Sequence, residues 1–144
     1  MSVSGSGRTL ADVATDITVE CVDDRGIRHE IDAVLGYRRS DPYAVAMTFI
    51  TGGGDLVWTF GRDLLTRGIA VPVGDGDVHV APAVGLDGSD MVTIELSSPD
   101  GHLVLLARLG EVADFLARSF ALVPDGEESA HFDVDALIAQ VLAA

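Results

Sequence analysis

The feature that most constrains the fold of this chain is an alternation of apolar and polar residues that recurs through most of its length. A period of two places every second side chain on the same face of a β-strand, so each such segment predicts a strand with one buried face. The first half of the chain contains four of these segments, with the apolar sets Ile17/Val19/Cys21, Ile27/Ile31/Ala33/Leu35, Val45/Met47/Phe49 and Leu56/Trp58/Phe60.

Short polar and glycine-rich stretches separate these predicted strands. Asp24-Arg25-Gly26 joins the first two, Asp41-Pro42 breaks the chain before the third, and Gly52-Gly53-Gly54 turns between the third and fourth. The three glycines resemble a phosphate-binding loop, but such loops lie between a strand and a helix, whereas here strand patterns flank both sides. We interpret the three glycines as a hairpin turn.

A short helix is predicted after the fourth strand. It runs from Arg62 to Arg67 and stops at Gly68, whose missing side chain suits the left-handed conformation that ends many helices. The second half of the chain then repeats the layout, with strands predicted at 69–73, 78–82, 92–96 and 103–107. The sequence therefore predicts an α+β fold made of two units, each with four strands and a helix (ββββα twice).

The helix of the second unit has a clear apolar stripe. Its members fall at i, i+3, i+4, i+7 and i+11, which is one face of a 3.6-residue period. They are Leu109, Val112, Ala113, Leu116 and Phe120.

A last helix is predicted at the C-terminus, with Asp133 as its N-cap. About ten residues are too few for a helix to persist alone, so its apolar face must dock on the sheet, on a sister subunit or on a partner. From Ala121 onward there are five acidic residues and no basic one. The apolar face consists of Val134, Leu137, Ile138, Val141 and Leu142.

The domain boundaries follow from where these patterns begin. Residues 1–14 are rich in serine and glycine and lack a sustained period, so we expect a flexible leader, followed by a single domain at 15–144. No stretch approaches the ~18 apolar residues of a membrane span, and the leader has neither the basic nor the apolar part of a targeting segment. With one cysteine, Cys21, no intrachain disulfide is available, which favours the cytoplasm.

Charge and composition exclude several classes of function. The chain carries 23 acidic and 9 basic residues, a net charge of −14, which argues against nucleic acid or anionic membrane as a partner. All nine basic residues are arginine, so a P-loop lysine and a lysine nucleophile are both excluded. The sequence predicts a protein that acts by binding other proteins rather than an enzyme.

No cofactor or metal site is predicted. The four histidines are far apart in sequence and lack a cysteine companion. Gly74 to Asp77 lacks the ligands of a calcium loop and is typical of a hairpin turn. Cys21 is in phase with the buried face of its strand, which indicates a small core residue rather than an activated thiol.

Two aromatic positions are candidates for contact with a partner. Trp58 shares a strand face with Phe60, which favours the core, although a partly exposed tryptophan is a frequent interface anchor. Arg38 and Arg39 lie beside Tyr37 and Tyr43, in the one segment that resembles a patch for single-stranded nucleic acid. The predicted interface residues are Tyr43, Trp58, Leu137, Ile138 and Val141.

With these motifs in place, the chain resembles the SsgA-like proteins, cell-division regulators of sporulating actinomycetes, and within them the SsgB branch. The resemblance covers about residues 15–143; Val80-Ala81-Pro82 departs from it, since the family usually has a tryptophan before this proline. It is carried by Asp41-Pro42-Tyr43-Ala44-Val45, Thr48-Phe49, Trp58-Thr59-Phe60, Arg62-Asp63-Leu64-Leu65, Gly74 to Val78, Ser97 to Gly101, Phe115-Leu116, Val123-Pro124 and His131 to Asp135.

The resemblance implies both a fold and a role. The family is similar to Whirly-type proteins, in which two sheet-and-helix units pack around a pseudo-twofold axis and the chains form homo-oligomers; a trimer is expected. It implies a septum-located regulator that recruits the tubulin-like protein FtsZ and promotes its polymerisation, alongside other SsgA-like or membrane-bound division proteins. The oligomer is expected to use the C-terminal helix or an edge strand.

Two other functions remain open at this point. Whirly relatives bind single-stranded nucleic acid, and a basic face around Arg25, Arg28, Arg38 and Arg39 would allow this chain to do so despite its net charge. Such binding would weaken steeply with salt. A small-molecule sensor is a third possibility, but no residue pattern favours it.

Overall fold

The computed structural model describes residues 11–23, 25–99, 101–131 and 134–143. Within these ranges, eight strands form one antiparallel sheet in the order β4-β3-β2-β1-β8-β7-β6-β5. The strands are β1 Val13–Val22, β2 Arg28–Arg38, β3 Asp41–Thr51, β4 Gly54–Gly61, β5 Val73–Asp75, β6 Val78–Val84, β7 Asp90–Ser98 and β8 Gly101–Arg108.

The described part of the chain also contains four helices. Two of them follow the two groups of strands, as the sequence predicts, and the other two lie in the C-terminal part of the chain. They are α1 Arg62–Gly68, α2 Leu109–Leu122, α3 Glu128–His131 and α4 Val134–Ala143. The coarse prediction of an α+β fold with four strands and a helix in each half is confirmed.

The two groups of four strands meet at a short seam. β1 pairs with β2 along its whole length, but with β8 only over three residues, from Glu20 to Val22. The strands diverge beyond this seam, and α2 packs against β1, β7 and β8 at the opening. The pseudo-twofold axis and the Whirly-like arrangement remain predictions.

A single hydrophobic core lies between the sheet and the helices. Because side chains alternate along each strand, the inward positions are buried while their neighbours stay at the surface. α2 contributes Val112, Phe115 and Leu116 to this core. The inward positions of the central strands include Ile17, Val19, Leu35, Val45, Met47, Val92, Ile94 and Leu105.

Three details of the predicted strands are wrong. β1 begins at Val13, two residues before the boundary placed at Thr15, while residues 1–10 lie outside the described residues. Pro42 does not break the chain, since it lies within β3 and the turn falls at Arg39-Ser40. Ile27 precedes β2 and is half exposed instead of lying on its buried face.

The strand predicted at 69–73 is also wrong. The backbone N–H of Ile69 donates to the carbonyl of Leu65, and that of Val71 donates to the carbonyl of Arg67. These bonds continue the turns of α1, so the backbone groups are occupied before they can pair with a strand. Only Val73 to Asp75 remains free to form β5.

Gly68 ends α1 for a different reason from the one expected. It does not adopt a left-handed conformation; the described glycines that do are Gly26, Gly54, Gly76, Gly88 and Gly126. A Cβ at Gly68 would lie 2.3 Å from Cγ1 of Val80. Glycine is therefore required here because α1 and β6 approach each other closely, which is a packing constraint.

Candidate protein-interaction site

The C-terminal helix α4 exposes a row of large apolar side chains. None of its ten residues, all of which the structure describes, is buried. The exposed fractions of its large apolar residues range from 45% at Leu137 to 80% at Leu142. The helix places Leu137, Ile138 and Val141 on one face, as predicted, because they are spaced by one, three and four residues.

This exposure is informative because an isolated helix of this length is only marginally stable in water. α4 is apolar on average and carries an acidic residue, Asp135, in its first turn, with no basic residue in its last turn. Of the three docking places that the sequence left open, the sheet of the same chain is not the one used. A sister subunit and a partner remain as the predicted docking places for the apolar face of α4.

A buried arginine fixes the segment that leads to α4. Arg62, the first residue of α1, is 1% exposed. Its Nη1 donates to the carbonyl oxygens of Val123 at 2.8 Å and Ser119 at 3.2 Å, where α2 ends. Its Nη2 lies 2.9 Å from Oε2 of Glu128, the first residue of α3. One guanidinium therefore ties together α1, the end of α2 and the start of α3.

Two aromatic rings enclose the same guanidinium. Its carbon lies 4.1 Å from the ring centre of Phe120 and 4.8 Å from that of Tyr37. The Tyr37 hydroxyl donates to the carbonyl of Pro42 at 2.9 Å, and burial raises the pKa of this phenol even though the nearby Arg62 acts to lower it. The charge is thus satisfied by hydrogen bonds, by one carboxylate and by cation–π contacts.

The carboxylate that balances Arg62 is held in its charged form. A hydrogen bond from the backbone N–H of Glu128 itself is the largest cause that lowers its pKa, and bonds from Arg62 and from the N–H of Gly126 add to it, while burial opposes them. α3 begins at this residue. Its start is therefore set by a charged contact to the core, six residues before α4 begins.

Edge strand β4 carries a second exposed apolar surface. Leu56 and Val57 are 64% and 60% exposed, although they point to opposite faces of the sheet. Trp58 is partly exposed and packs against the core beside buried Phe60. The core interpretation of Trp58 is therefore confirmed, and its exposed part leaves an interface role open.

The predicted interface residues fall on three different elements. Leu137, Ile138 and Val141 share α4, whereas Tyr43 lies on β3 and Trp58 on β4. Trp58 is paired with Met47 of β3. Met47 is four residues from Tyr43, so the two lie about 13 Å apart along the strand. The five residues are all at least partly exposed, but Tyr43 and Trp58 do not form one patch.

The four arginines of the proposed nucleic-acid face are not together either. Arg28 begins β2 and Arg38 ends it, which separates them by about 33 Å. Arg28 also lies 3.5 Å from Glu20, and the N–H of Arg39 donates to Asp12. Arg25 belongs to the β1–β2 turn, so the basic residues form two groups at opposite ends of a strand.

Among the residues that the structure describes, the cysteine and the Ser97–His102 pair show no activated arrangement. Burial, followed by the nearby Asp23 carboxylate, raises the pKa of the Cys21 thiol, which is the opposite of activation. Ser97 Oγ lies 3.1 Å from Nδ1 of His102, but the pair is exposed at the β7–β8 turn. Within the ranges that the structure describes, no three metal-binding side chains are grouped to hold an ion.

The described helices also include none that is long and apolar enough to cross a membrane. Taken together, the geometry defines a small α+β domain with one eight-stranded sheet, a core closed around a buried arginine, and apolar side chains exposed on its last helix and on one sheet edge.

Comparison with known proteins identifies the family. Residues 31–128 match the family model described as "Streptomyces sporulation and cell division protein, SsgA". The chain is 41% identical over 136 residues to the sporulation-specific cell division protein SsgB of Kineococcus radiotolerans, which covers 94% of this chain and 81% of that protein. It is 45% identical over 114 residues to SsgB of Streptomyces coelicolor, covering 78% and 82% of the two chains.

Solved structures agree with this match. The crystal structure of an SsgA-like sporulation-specific cell division protein from Thermobifida fusca superimposes with a TM-score of 0.80 at 35% identity, covering 89% of this chain and 93% of that one. A Streptomyces coelicolor SsgB structure gives a TM-score of 0.78 at 40% identity, covering 83% and 94%. This chain belongs to the SsgA-like family of sporulation and cell division proteins, and its general role is in sporulation-specific cell division.

Proposed function

We propose that this chain is a non-enzymatic adaptor of sporulation-specific division that recruits FtsZ to septum sites in the cytoplasm and promotes its polymerisation. Its contact surface is the apolar face of α4. The observation that carries the proposal is the exposure of Leu137, Ile138 and Val141 on a helix with no buried residue. A helix of this kind gains most of its stability from packing against another surface.

The base of this helix supports the proposal. α3, which ends two residues before α4 begins, is held to the core by the contact between Arg62 and Glu128. An adaptor benefits from a binding element with a fixed base, because less conformational freedom is lost when the partner binds. The buried Arg62 thus holds α3 in place, and the neighbouring α4 provides the contact area.

The lack of charge on the apolar face of α4 also affects how a partner is recognised. The chain carries a net charge of −14, yet the face of α4 formed by Leu137, Ile138 and Val141 is uncharged. Burial of apolar area is less sensitive to salt than contact between charged groups. We therefore expect binding through α4 to persist near physiological salt.

The nucleic-acid alternative lacks an observation in its favour. It requires a basic face that follows a phosphate backbone. Arg28 and Arg38 lie at opposite ends of β2, and Arg28 faces an acidic neighbour, Glu20. Tyr37, which stood beside the arginines in sequence, is buried and cannot stack on a base.

The test is co-sedimentation of the purified chain with FtsZ polymers under GTP, at low and near-physiological salt, with light scattering followed in parallel. Wild type should pellet saturably and increase the scattering. Leu137→Asp should lose most of this pelleting while the sheet stays folded. The matched control is Leu86→Asp, which places the same charge on an 87% exposed leucine in the β6–β7 turn and should behave as wild type.

Each outcome bears on a different part of the proposal. Failure of the wild type to pellet at either salt would remove direct recruitment of FtsZ and leave an indirect role. Pelleting that Leu137→Asp and Leu86→Asp both preserve would retain recruitment but exclude α4 as the contact surface.

A further inference from the structure

The outer face of the sheet carries a strip of carboxylates along two neighbouring strands. Asp16 and Glu20 lie on β1, and Glu30 and Asp32 lie on β2. Side chains two or four residues apart on a strand point to the same face, which here is the face away from the core. Glu20 is paired directly with Glu30, and like charges in this arrangement are destabilising. The stability of the fold therefore does not account for the strip.

Two adjoining hollows lie over this strip, where β1 and β8 diverge. The larger has a volume of about 430 Å³ and is bounded by β1, β2, the end of β8 and the β6–β7 turn. The smaller has a volume of about 300 Å³ and is bounded by β1, β2 and β3. Both lie within the range of about 300–1,000 Å³ that is usual for ligand sites. Besides the four residues of the strip, the charged residues that line them are Asp87, Glu111, Arg28 and Arg108. We call the two hollows together the acidic groove.

Negative charge dominates this groove. Six carboxylates line it against two guanidinium groups, and one of these, that of Arg28, lies 3.5 Å from Glu20. Hydrogen bonds from the hydroxyl and the backbone N–H of Ser89 lower the pKa of Asp87 and keep it ionised. A cleft lined by one sign of charge concentrates the electric field and attracts groups of the opposite sign. The groove therefore favours a cationic ligand.

Glu111 provides a second observation that does not depend on the number of charges. It lies in the first turn of α2 and lines both hollows. One of its carboxylate oxygens, Oε1, is shielded from solvent and has no hydrogen-bond partner among the residues that the structure describes. Buried polar atoms nearly always have a partner in native proteins. A donor from outside the chain would complete this position.

The spacing of the carboxylates indicates the shape of the ligand. Within the described ranges, no three metal-binding side chains are close enough together to hold one ion. Glu30 and Asp32 are two residues apart on β2, which separates them by about 7 Å. An extended polypeptide has the same spacing between side chains on one of its sides. The planar guanidinium of arginine matches a carboxylate with two parallel hydrogen bonds.

We propose that the acidic groove binds an extended segment of a partner protein with arginine at alternate positions, one of which donates to Oε1 of Glu111. The groove is built from β1, β2, β8, the β6–β7 turn and the start of α2, so it does not include α4. It is therefore a second contact surface, and it does not rest on the proposed function.

The experiment measures binding of a fluorescent probe peptide, with arginine and serine in alternation, by anisotropy at low and near-physiological salt. A peptide with citrulline in place of arginine keeps the shape and removes the charge. Glu111→Gln and Glu30→Gln are the test variants. Glu127→Gln is the matched control, because it makes the same change of net charge at an exposed residue beyond the other end of α2. Circular dichroism verifies that each variant folds.

Wild type should bind one peptide per chain saturably, and salt should weaken the binding. Glu111→Gln should weaken it about tenfold, since a charged hydrogen bond at a shielded atom is lost. Glu30→Gln should weaken it about threefold, as expected for an exposed pair, and it decides the question if Glu111→Gln does not fold. Glu127→Gln and Leu137→Asp should bind as wild type.

Four results would overturn the proposal. They are the absence of saturable binding, equal binding of the citrulline peptide, equal weakening by the test variants and by Glu127→Gln, and full displacement of the peptide by spermidine or Mg²⁺ at the same concentration of positive charge. The third would reduce the binding to attraction by the net charge, and the fourth would make the groove a general cation site. FtsZ is not part of this experiment, so failure here is distinguishable from failure of the proposed function.

Discussion

The surroundings of Arg62 and the C-terminal helix α4 are opposites. Arg62 is a charged residue that is 1% exposed, and its Nη1 and Nη2 groups donate to Ser119, Val123 and Glu128. α4 carries large apolar residues, and none of them is buried. The usual distribution places charge outside and apolar side chains inside, so each region departs from it in its own direction.

The comparison indicates two different roles. A charge is tolerated inside a protein when every donor is used, and removing one partner then costs more than the pair contributes. Exposed apolar side chains on a short helix do little for the folded domain, which makes them available to a partner. The Arg62 cluster therefore supports the fold, whereas the role that we propose for α4 is contact with a partner. The following predictions test this division, beginning with the largest expected effect.

Replacing Arg62 by methionine should destabilise the domain by about 3–5 kcal/mol, the range for breaking a buried charged pair. The substitution leaves Glu128 and the carbonyl groups at the end of α2 without their donor. Urea unfolding followed by circular dichroism measures the loss. Arg67→Met is the control, because Arg67 forms an exposed pair with Asp63 within α1 and should cost less than ~0.5 kcal/mol. Equal losses of stability in Arg62→Met and Arg67→Met would contradict the structural role assigned to the buried Arg62.

Glu128→Gln should remove a pH-dependent contribution of the Arg62 cluster to the free energy of unfolding. The pKa of the folded Glu128 is lowered from 4.5, so the folded state releases this proton more readily than the unfolded state. Its contribution is therefore present above about pH 4.5 and is lost as pH falls through the lower folded pKa. The variant should be about 1–3 kcal/mol less stable than wild type at pH 7, where a hydrogen bond to a charged group is lost.

The difference should shrink towards zero as the pH is lowered to the point where Glu128 is protonated in the folded wild type. Unfolding curves at a series of pH values measure it. Asp63→Asn, at the exposed pair with Arg67, serves as the control and should cost less than ~0.5 kcal/mol. A gap between wild type and Glu128→Gln that is the same at every pH would contradict the charged contact.

Leu137→Asp should change the stability of the domain by less than about 1 kcal/mol, because the side chain is exposed and contributes little to the core. Thermal unfolding beside the wild type measures this. A loss as large as that of Arg62→Met would mean that α4 packs on its own domain, and the contrast between the two regions would not hold.

Much of the strand pattern could be predicted because a strand with one buried face has apolar and polar residues in alternation. The hairpin at Gly52-Gly53 and the turn at Gly76-Asp77 were likewise predictable, since two-residue hairpin loops favour these residues. Helices α1 and α2 fell within two residues of their predicted bounds. Each of these signals is local.

The features that were missed depend on distant contacts. Nothing near Arg62 marks it as buried, because its partners are 57 to 66 residues away in the sequence. The close approach of Gly68 to Val80 and the helical turns after α1 are likewise set by packing. The apolar face of α4 could be predicted from periodicity, but its surroundings could not, since periodicity does not identify what covers a face.

The central claim is that α4 is the surface that a division partner covers, and hydrogen–deuterium exchange tests it most directly. A short exposed helix exchanges its amide hydrogens quickly, whereas a covered one is protected. Addition of FtsZ polymers should slow exchange across Val134–Ala143 by about tenfold or more, and leave the amides around Arg62 unchanged. If FtsZ polymers pellet the chain while exchange in α4 stays as fast as in the free protein, the claim is contradicted.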